Sequence, residues 1–434
     1  MPTSPRPTLL RLALGGIGDA FGDRNFRYYS VGSIVSWLSY FVQAVAVSWT
    51  AWQLTHSTRW LAIVALVDAL PNIVLAPIGG VIADRYDRFR ILLVAYGLAT
   101  LQAAALAGLA FTGQLTIGPL AALSFLHGMI HAFSVPAQFG LLPRFVDRGR
   151  LASAIAVASA YSQLGIFVGP ALAGWAILHL GAAVAFASNV LGYGVFFGSA
   201  LLMRTPPDYT KPPDSGRAFV ADLLDGLTAI RAHRGIMGVL GLMLWGDGVS
   251  AAVRQMLPAF ADNDLGAGVE GLSTLLACLG IGATLAALWL AHGGAARATS
   301  QAILWAFLGF LAGTAVLLGT GSLLVAGAAM ALGGFCFETC RTGTVALLQT
   351  SVPDRMRGRM MSTQFVLMRL AGALGIAVVG WFGEDWGVRT PLLTGTALAL
   401  TVWIVTIRRR DRIAAAFAEG RPPDSSGRRH VGSL

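Results

Sequence analysis

The chain has 434 residues, 55% of them hydrophobic and 12% charged, with a formal net charge of +10. A soluble domain carries about 25% charged residues, so this deficit, together with a mean hydropathy of +0.67, excludes an ordinary soluble globular protein. The positive charge does not form a nucleic-acid patch: 26 of the 31 Lys and Arg lie at the termini or in alternate loops between long apolar runs.

In chain order, residues 1–25 form a short N-terminal segment. "MPTSPRPTLLRLALGG" has too short an apolar core for a cleavable signal. Apolar runs then follow at 30–54, 60–83, 90–110, 117–138, 153–178 and 182–203. Each is about 20 residues, enough to cross about 30 Å of hydrocarbon as a helix. "RTPPDYTKPPDSGR", Pro-rich and polar, opens a linker over 204–234. "AFVADLLDGLTAIRAHR" closes it, with Phe219, Leu223, Leu227 and Ile230 at helical spacing, so an amphipathic helix along the membrane face is expected there. Six more runs lie at 236–260, 269–291, 299–319, 322–349, 360–383 and 391–407. Residues 408–434 are a basic tail whose natural contact is anionic lipid.

The expected fold class is therefore all-α, a multi-pass membrane protein of twelve spans. The six-span bundles are 26–203 and 235–407, with 204–234 between them. Arginines fill one set of loops, Arg85/Arg88/Arg90, Arg144/Arg148/Arg150, Arg297 and Arg355/Arg357/Arg359, while the opposite set holds only Arg59 and Arg389. Positive residues stay inside, which places both termini in the cytoplasm of a cell (inner) membrane. One lysine against 30 arginines, with abundant Ala and Gly, points to a GC-rich bacterial source.

The halves resemble each other. "LLPRFVDRGRLASA" stands opposite "LLQTSVPDRMRGRMMS", and Gly174-Trp175 opposite Gly380-Trp381. An offset of about 206 residues keeps Gly169 opposite Gly375. Duplicated bundles of this kind hold substrate near the bilayer midplane between the halves and work by rocking one against the other.

After the second span the sequence reads Gly80-Val81-Ile82-Ala83-Asp84-Arg85-Tyr86-Asp87-Arg88. Gly80 would let a neighbouring helix approach, and Asp84 would end the helix within reach of cytoplasmic arginines, forming a charged latch that holds in one state and releases in the other. This stretch resembles the loop 2–3 signature of the major facilitator superfamily, with Asp87 in place of its second glycine. "ADRYDR" and "VGSIVSWLSYFVQAVAVSWTAWQLTHST" are similar to the branch containing macrolide and enterobactin exporters. The resemblance covers nearly the whole chain. It implies the two-bundle fold and a gate at Gly80, Asp84, Arg85 and Arg88.

The fifth span carries Gly165-x-x-x-Gly169-Pro170-x-x-Ala173-Gly174. Small residues four apart let helices pack backbone to backbone, and Pro170 frees a carbonyl and bends the helix. A generic packing motif would read the same. The segment also resembles the family's antiporter motif, with Ala173 at one glycine, which implies export. Gly375-Ile376 in the second half lacks the proline.

Six ionisable residues besides histidine fall inside predicted spans: Asp68, Asp247, Arg254, Glu338, Arg341 and Arg369. Each costs about 2.5–3.5 kcal/mol at a helix centre, so pairing or a cavity is expected. At about 1.5 Å per residue, Asp68 lies about 12 Å from the outer edge and Arg369 about 16 Å from it. In the family's fold the second and eleventh spans are neighbours, which makes Asp68–Arg369 a candidate pair, with Asp247 as competitor. Glu338 and Arg341, three apart on one helix, pair with each other in the simplest reading; a gate or binding role is the alternative. Asp68, Asp247, Glu338 and Arg369 are the proton-coupling candidates. The family's drug antiporters place an acid in the first span; here that span offers Gln43, Trp37 and Tyr40.

His127 and His131 lie one turn apart. A His-x-x-x-His without a carboxylate is a poor metal motif, so no metal is expected, and cavity groups, a proton relay or helix–helix hydrogen bonds are the readings. Trp37, Tyr40, Gln43, Tyr161, Asn189, His127, His131 and Arg341 are the cavity candidates, although aromatics at such spacing also serve plain packing. A large, mostly apolar cavity suits amphipathic cargo. Cys278, Cys336 and Cys340 sit in spans without metal spacing. There is no Walker motif, so ATP is not expected to drive the protein.

The expectation is a monomeric secondary transporter without cofactor, exporting amphipathic small molecules in exchange for protons. It contacts the lipid bilayer and no nucleic acid, and it is not an enzyme. A siderophore exporter, an importer, and a sensor or lipid scramblase on the same fold are the alternatives.

Overall fold

The computed structural model describes residues 21–146, 148–203, 219–232, 234–293, 299–351 and 354–411. The remainder, including most of the N-terminal segment, the Pro-rich linker over 204–218 and the tail over 412–434, lies outside the described residues. So do the side chains of Asp84, Phe219 and Leu223.

The described residues are helical, with no strand among them. The helices are α1 (Arg24–Thr55), α2 (Thr58–Arg85), α3 (Arg88–Phe111), α4 (Ile117–Leu141), α5 (Leu151–Leu180) and α6 (Ala182–Leu202), then α7 (Phe219–Ala232), α8 (Arg234–Ala259), α9 (Gly268–Gly293), α10 (Ser300–Gly319), α11 (Leu323–Ser351), α12 (Asp354–Trp386) and α13 (Arg389–Ile407). Twelve are long and apolar enough to cross a membrane. The exception is α7, only 14 residues long.

Side-chain caps set several helix starts. Asp23 Oδ1 accepts from the amides of Asn25 (2.8 Å) and Phe26 (3.1 Å) to begin α1. Ser57 Oγ accepts from Trp60 N at the head of α2, and Thr299 Oγ1 from Ala302 N at the head of α10. Prolines 71 and 77 lie inside α2, Pro136 inside α4 and Pro170 inside α5. Large apolar side chains such as Leu101, Leu191 and Leu324 are exposed, as a lipid-facing surface requires.

The residues fall into two compact units. The first contains α1–α6 together with Leu257–Gly280; the second contains Ser215–Met256 and everything from Ile281 onward. The core of the first unit is aromatic: Phe26, Tyr29, Phe89, Tyr96, Phe145, Tyr161, Tyr193 and Phe196 are all buried. A polar thread runs through it. Gln138 accepts from Tyr29 Oη through its backbone carbonyl (2.9 Å) and from Tyr96 Oη through Oε1 (3.3 Å), and its Nε2 donates to Ser33 Oγ (3.2 Å). Every one of these groups would be costly unpaired away from water.

In the second unit α8 and α12 approach at their backbones. An added Cβ at Gly375 would collide with the Gly248 carbonyl, and one at Gly248 would sit 3.2 Å from the Ala371 carbonyl oxygen. Helix α7 docks on α12. Asp225 Oδ2 pairs with Arg359 Nη1 at 3.1 Å, and Gly226 leaves no room for a Cβ against Thr363 Oγ1. So α7, expected along a membrane face, rests its Asp225–Gly226 side on protein, with Ile230 buried.

Candidate functional site

The end of α2 is tied to α4 by Arg88. Its Nε donates to the Ala83 carbonyl (2.8 Å) and its Nη1 to the Gly140 carbonyl (2.7 Å). Arg88 thus occupies carbonyls freed where α2 and α4 end. Asp87, the departure from the family signature, has its own local use. It is the N-cap of α3, accepting from Phe89 N at 2.9 Å, and it pairs with Arg90 at 3.5 Å. Arg85 is exposed, and the side chain of Asp84 lies outside the described residues. One expectation is corrected. A Cβ at Gly80 would meet nothing within 4 Å, whereas one at Gly79 would strike the Ala132 carbonyl. The close approach of α2 to α4 belongs to Gly79, which lies about three turns along α2 from Asp68 and so on the same face toward α4.

The fifth-span motif packs on α1. A Cβ at Gly165 would lie 3.0 Å from Trp37 Cβ, and one at Gly169 would lie 2.6 Å from Phe41 Cβ. Positions i and i+4 on α5 therefore meet positions i and i+4 on α1, with Pro170 next to the second contact. At Gly174 the added atom would fall 2.6 Å from Ser273 Cα, in the α9 part of the same unit.

Asp68 and His127 meet in this unit. His127 Nδ1 lies 2.7 Å from Asp68 Oδ1, and His127 Nε2 lies 3.3 Å from Tyr193 Oη. The helices make the meeting possible. Gly128 has no room for a Cβ against the Asp68 carbonyl, so α2 and α4 touch at the very residues that carry the pair. The Asp68 side chain is 33% exposed and that of His127 7%. Tyr40 stacks on His127 at 5.5 Å and lies 4.3 Å from His131, ring centre to ring centre. Four of the sequence candidates, Asp68, His127, His131 and Tyr40, thus form one cluster. Tyr193 completes it; one turn beyond Asn189 in a predicted span, it was readable only once α6 was placed against α4.

Other candidates sit apart from that cluster. Gln43 Nε2 donates to Gln102 Oε1 (3.2 Å), and Gln102 donates on to the Leu123 carbonyl (3.1 Å). Asn189 is fully buried, and neither of its amide atoms has a hydrogen-bond partner among the described residues. Tyr161 is a buried core residue, and Trp37 packs against Tyr40 and Phe41. A contact absent from the sequence reading lies at the C-terminal end of α1. Trp52 Nε1 donates to Asp262 Oδ2 at 2.9 Å, with His56 Nδ1 3.9 Å from the same oxygen. Asp262 sits in the π-helical turn Phe260–Asp264, which no periodicity announces.

In the second unit Glu338 and Arg341 form a two-point pair, Nε to Oε2 at 2.9 Å and Nη2 to Oε1 at 2.7 Å. Thr342 Oγ1 adds a donor to Oε1 at 2.9 Å, so buried Glu338 accepts three hydrogen bonds. Asp247 Oδ2 is buried without a hydrogen-bond partner. It lies within electrostatic reach of Arg254, Arg341, Arg369 and Glu338. Arg254 donates to Ser250 Oγ, and Arg369 places its guanidinium 5.2 Å above the Phe365 ring. No group of three or more His, Cys, Asp or Glu with metal-site geometry occurs among the described residues.

These features have relatives. The transmembrane secretion effector family matches residues 20–420. The chain belongs to that family of major facilitator transporters. The transporter is 26% identical over 388 residues to the enterobactin exporter EntS of Shigella boydii serotype 4 (strain Sb227), covering 88% of this chain and 90% of that one. The EntS protein of Escherichia coli O139:H28 (strain E24377A / ETEC) is 26% identical over 389 residues, with the same coverage. Its fold is that of a bacterial homologue of the human lysosomal transporter Spinster in an inward-facing, unoccupied conformation. That comparison gives a TM-score of 0.69 at 13% identity over 95% of this chain and 99% of the other. The nucleoside transporter NupG shares it too, with a TM-score of 0.66 at 12% identity, covering 88% and 98%. The protein is thus a multi-pass membrane transporter of the major facilitator type and not an enzyme.

Proposed function

We propose that this transporter exports amphipathic small molecules in exchange for protons, with both termini in the cytoplasm of a bacterial inner membrane. The Asp68–His127–Tyr193 chain is the observation that carries the reading. With a proton on Nδ1, neutral His127 donates to the Asp68 carboxylate, and Nε2 accepts from the Tyr193 hydroxyl. The pair then carries one negative charge. A second proton, taken at Nε2, makes the pair neutral overall. An ionisable pair inside membrane-spanning helices is costly, and its net charge decides which conformations expose it cheaply. Loading and unloading one proton therefore biases a two-state rocking cycle. Gly165 and Gly169 seat α5 on α1 next to Pro170, in support of the exporter direction, as do the family description and the printed function of the EntS relatives. The arginine distribution supports the orientation.

A siderophore cargo is a second reading, favoured by the EntS relatives over 88% of the chain. The test is movement of candidate cargo in proteoliposomes under an imposed pH gradient. Gradient-dependent movement opposite to the proton flow is expected. Movement that ignores the gradient, or lipid flipping without cargo movement, contradicts the reading.

A further inference from the structure

Away from their ends, helices α8, α11 and α12 of the second unit carry Asp247, Arg254, Glu338, Arg341 and Arg369. Their charges do not cancel. Glu338 and Arg341 close on each other at two points and Thr342 donates to the same carboxylate, so that pair is neutral as a unit. One carboxylate then faces two guanidinium groups.

The remaining three are incompletely satisfied. Gly248 and Gly375 bring α8 and α12 into backbone contact, which carries Asp247, the residue before Gly248, to the α12 surface near Arg369. Asp247 feels Arg254, Arg341 and Arg369 electrostatically, and of these Arg341 is already held by Glu338. Yet its Oδ2 is buried with no hydrogen bond. Arg369 is exposed and makes no hydrogen bond or ion pair with any described residue, its one specific contact being the Phe365 ring. Exposed Arg254 donates only to Ser250 Oγ. A guanidinium offers five N–H donors in a planar fork, and an unmet charge inside a span is costly.

We infer that Arg254 and Arg369, both within electrostatic reach of Asp247, form the anion-binding site for the cargo, so that the transporter takes negatively charged amphipaths. This rests on the reading of the chain as an exporter. A carboxylate, phenolate or phosphate supplies the acceptors that the two forks lack, in the bidentate geometry arginine favours. Exposed Phe365, beneath Arg369, gives the apolar body of the same molecule a surface. Asp247 is the internal anion that holds the arginines when the cargo is absent and yields them when it arrives. An anionic lipid headgroup shares this chemistry and is the rival source.

The test measures binding of tritiated 1-naphthylacetate to the full chain in phosphatidylcholine nanodiscs, with its uncharged amide as competitor. The acid is expected to bind at least about tenfold more tightly than the amide, a difference of about 1.4 kcal/mol. Arg369→Gln and Arg254→Gln are each expected to erase at least about fivefold of that preference, and Arg369→Lys, which keeps the charge without the fork, to retain only part of it. Asp247→Asn is expected to tighten acid binding several-fold. Equal binding of acid and amide, or a preference that survives both glutamine substitutions in folded protein, overturns the inference. Loss of the preference on adding phosphatidylglycerol overturns it as well, since the site then belongs to lipid. Gradient-driven movement of both probes without any acid preference removes the anion site and leaves proton-coupled export standing. A preserved preference without gradient-driven movement does the reverse.

Discussion

The carboxylate of Asp68 and the imidazole of His127 lie 2.7 Å apart on helices whose backbones touch at Gly128. That one contact gives an isolated acid in an apolar run a hydrogen-bonding partner. Its energy is measurable. In a double-mutant cycle of Asp68→Asn and His127→Gln, the coupling in detergent thermal unfolding is expected at about 1.5–3 kcal/mol, the range for hydrogen bonds to charged groups. Additive losses would mean that the two groups do not interact.

The glycines at 79 and 80 separate sharply. Gly79→Val forces a side chain into the Ala132 carbonyl and is expected to cost about 1–3 kcal/mol, the usual range for overpacking. Gly80→Ala enters open space and should stay within about 0.5 kcal/mol of wild type. Melting temperatures of the two purified variants decide it.

Arg88 bonds two carbonyls at once. Its replacement by alanine leaves both without that donor, with an expected loss of about 2–4 kcal/mol. Arg88→Lys keeps the charge but lacks the fork, so it should recover less than half of the loss. Full recovery by lysine would show that charge alone matters there.

Glu338 is 5% exposed and depends on Arg341. Arg341→Ala strands it, at an expected cost of about 3–5 kcal/mol, whereas replacing both by Leu and Met is expected to be close to neutral. Unfolding of the single and double variants in the same detergent checks the order. A double variant as unstable as the single one contradicts it.

Much of this was legible in the chain. Run length fixes twelve spans, since hydrocarbon thickness sets helix length directly. The Glu338–Arg341 pair is readable because three-residue spacing on one helix is local geometry. The small-residue face of α5 at Gly165 and Gly169 was legible for the same reason, though its partner on α1 was not. The partner of Asp68 was hidden because depth ranks residues by height in the membrane and says nothing of azimuth. His127 shares the height of Asp68, but only the α2–α4 crossing at Gly128 reveals that they face each other. Depth likewise named Asp68–Arg369 as a candidate pair without weighing histidine. The contact of Trp52 with Asp262 depends on a π-helical turn that has no sequence period, and the step from Gly80 to Gly79 depends on which face of α2 meets α4, which the motif alone does not give.

In the proposed cycle Asp68 and His127 carry the transported proton, and a pH-sensitive dye trapped inside proteoliposomes records proton movement when cargo is added. Wild type is expected to move protons against cargo, and Asp68→Asn to lose that flux at least about tenfold while still binding cargo. Cargo-driven proton flux at the wild-type rate in correctly folded Asp68→Asn would contradict the account.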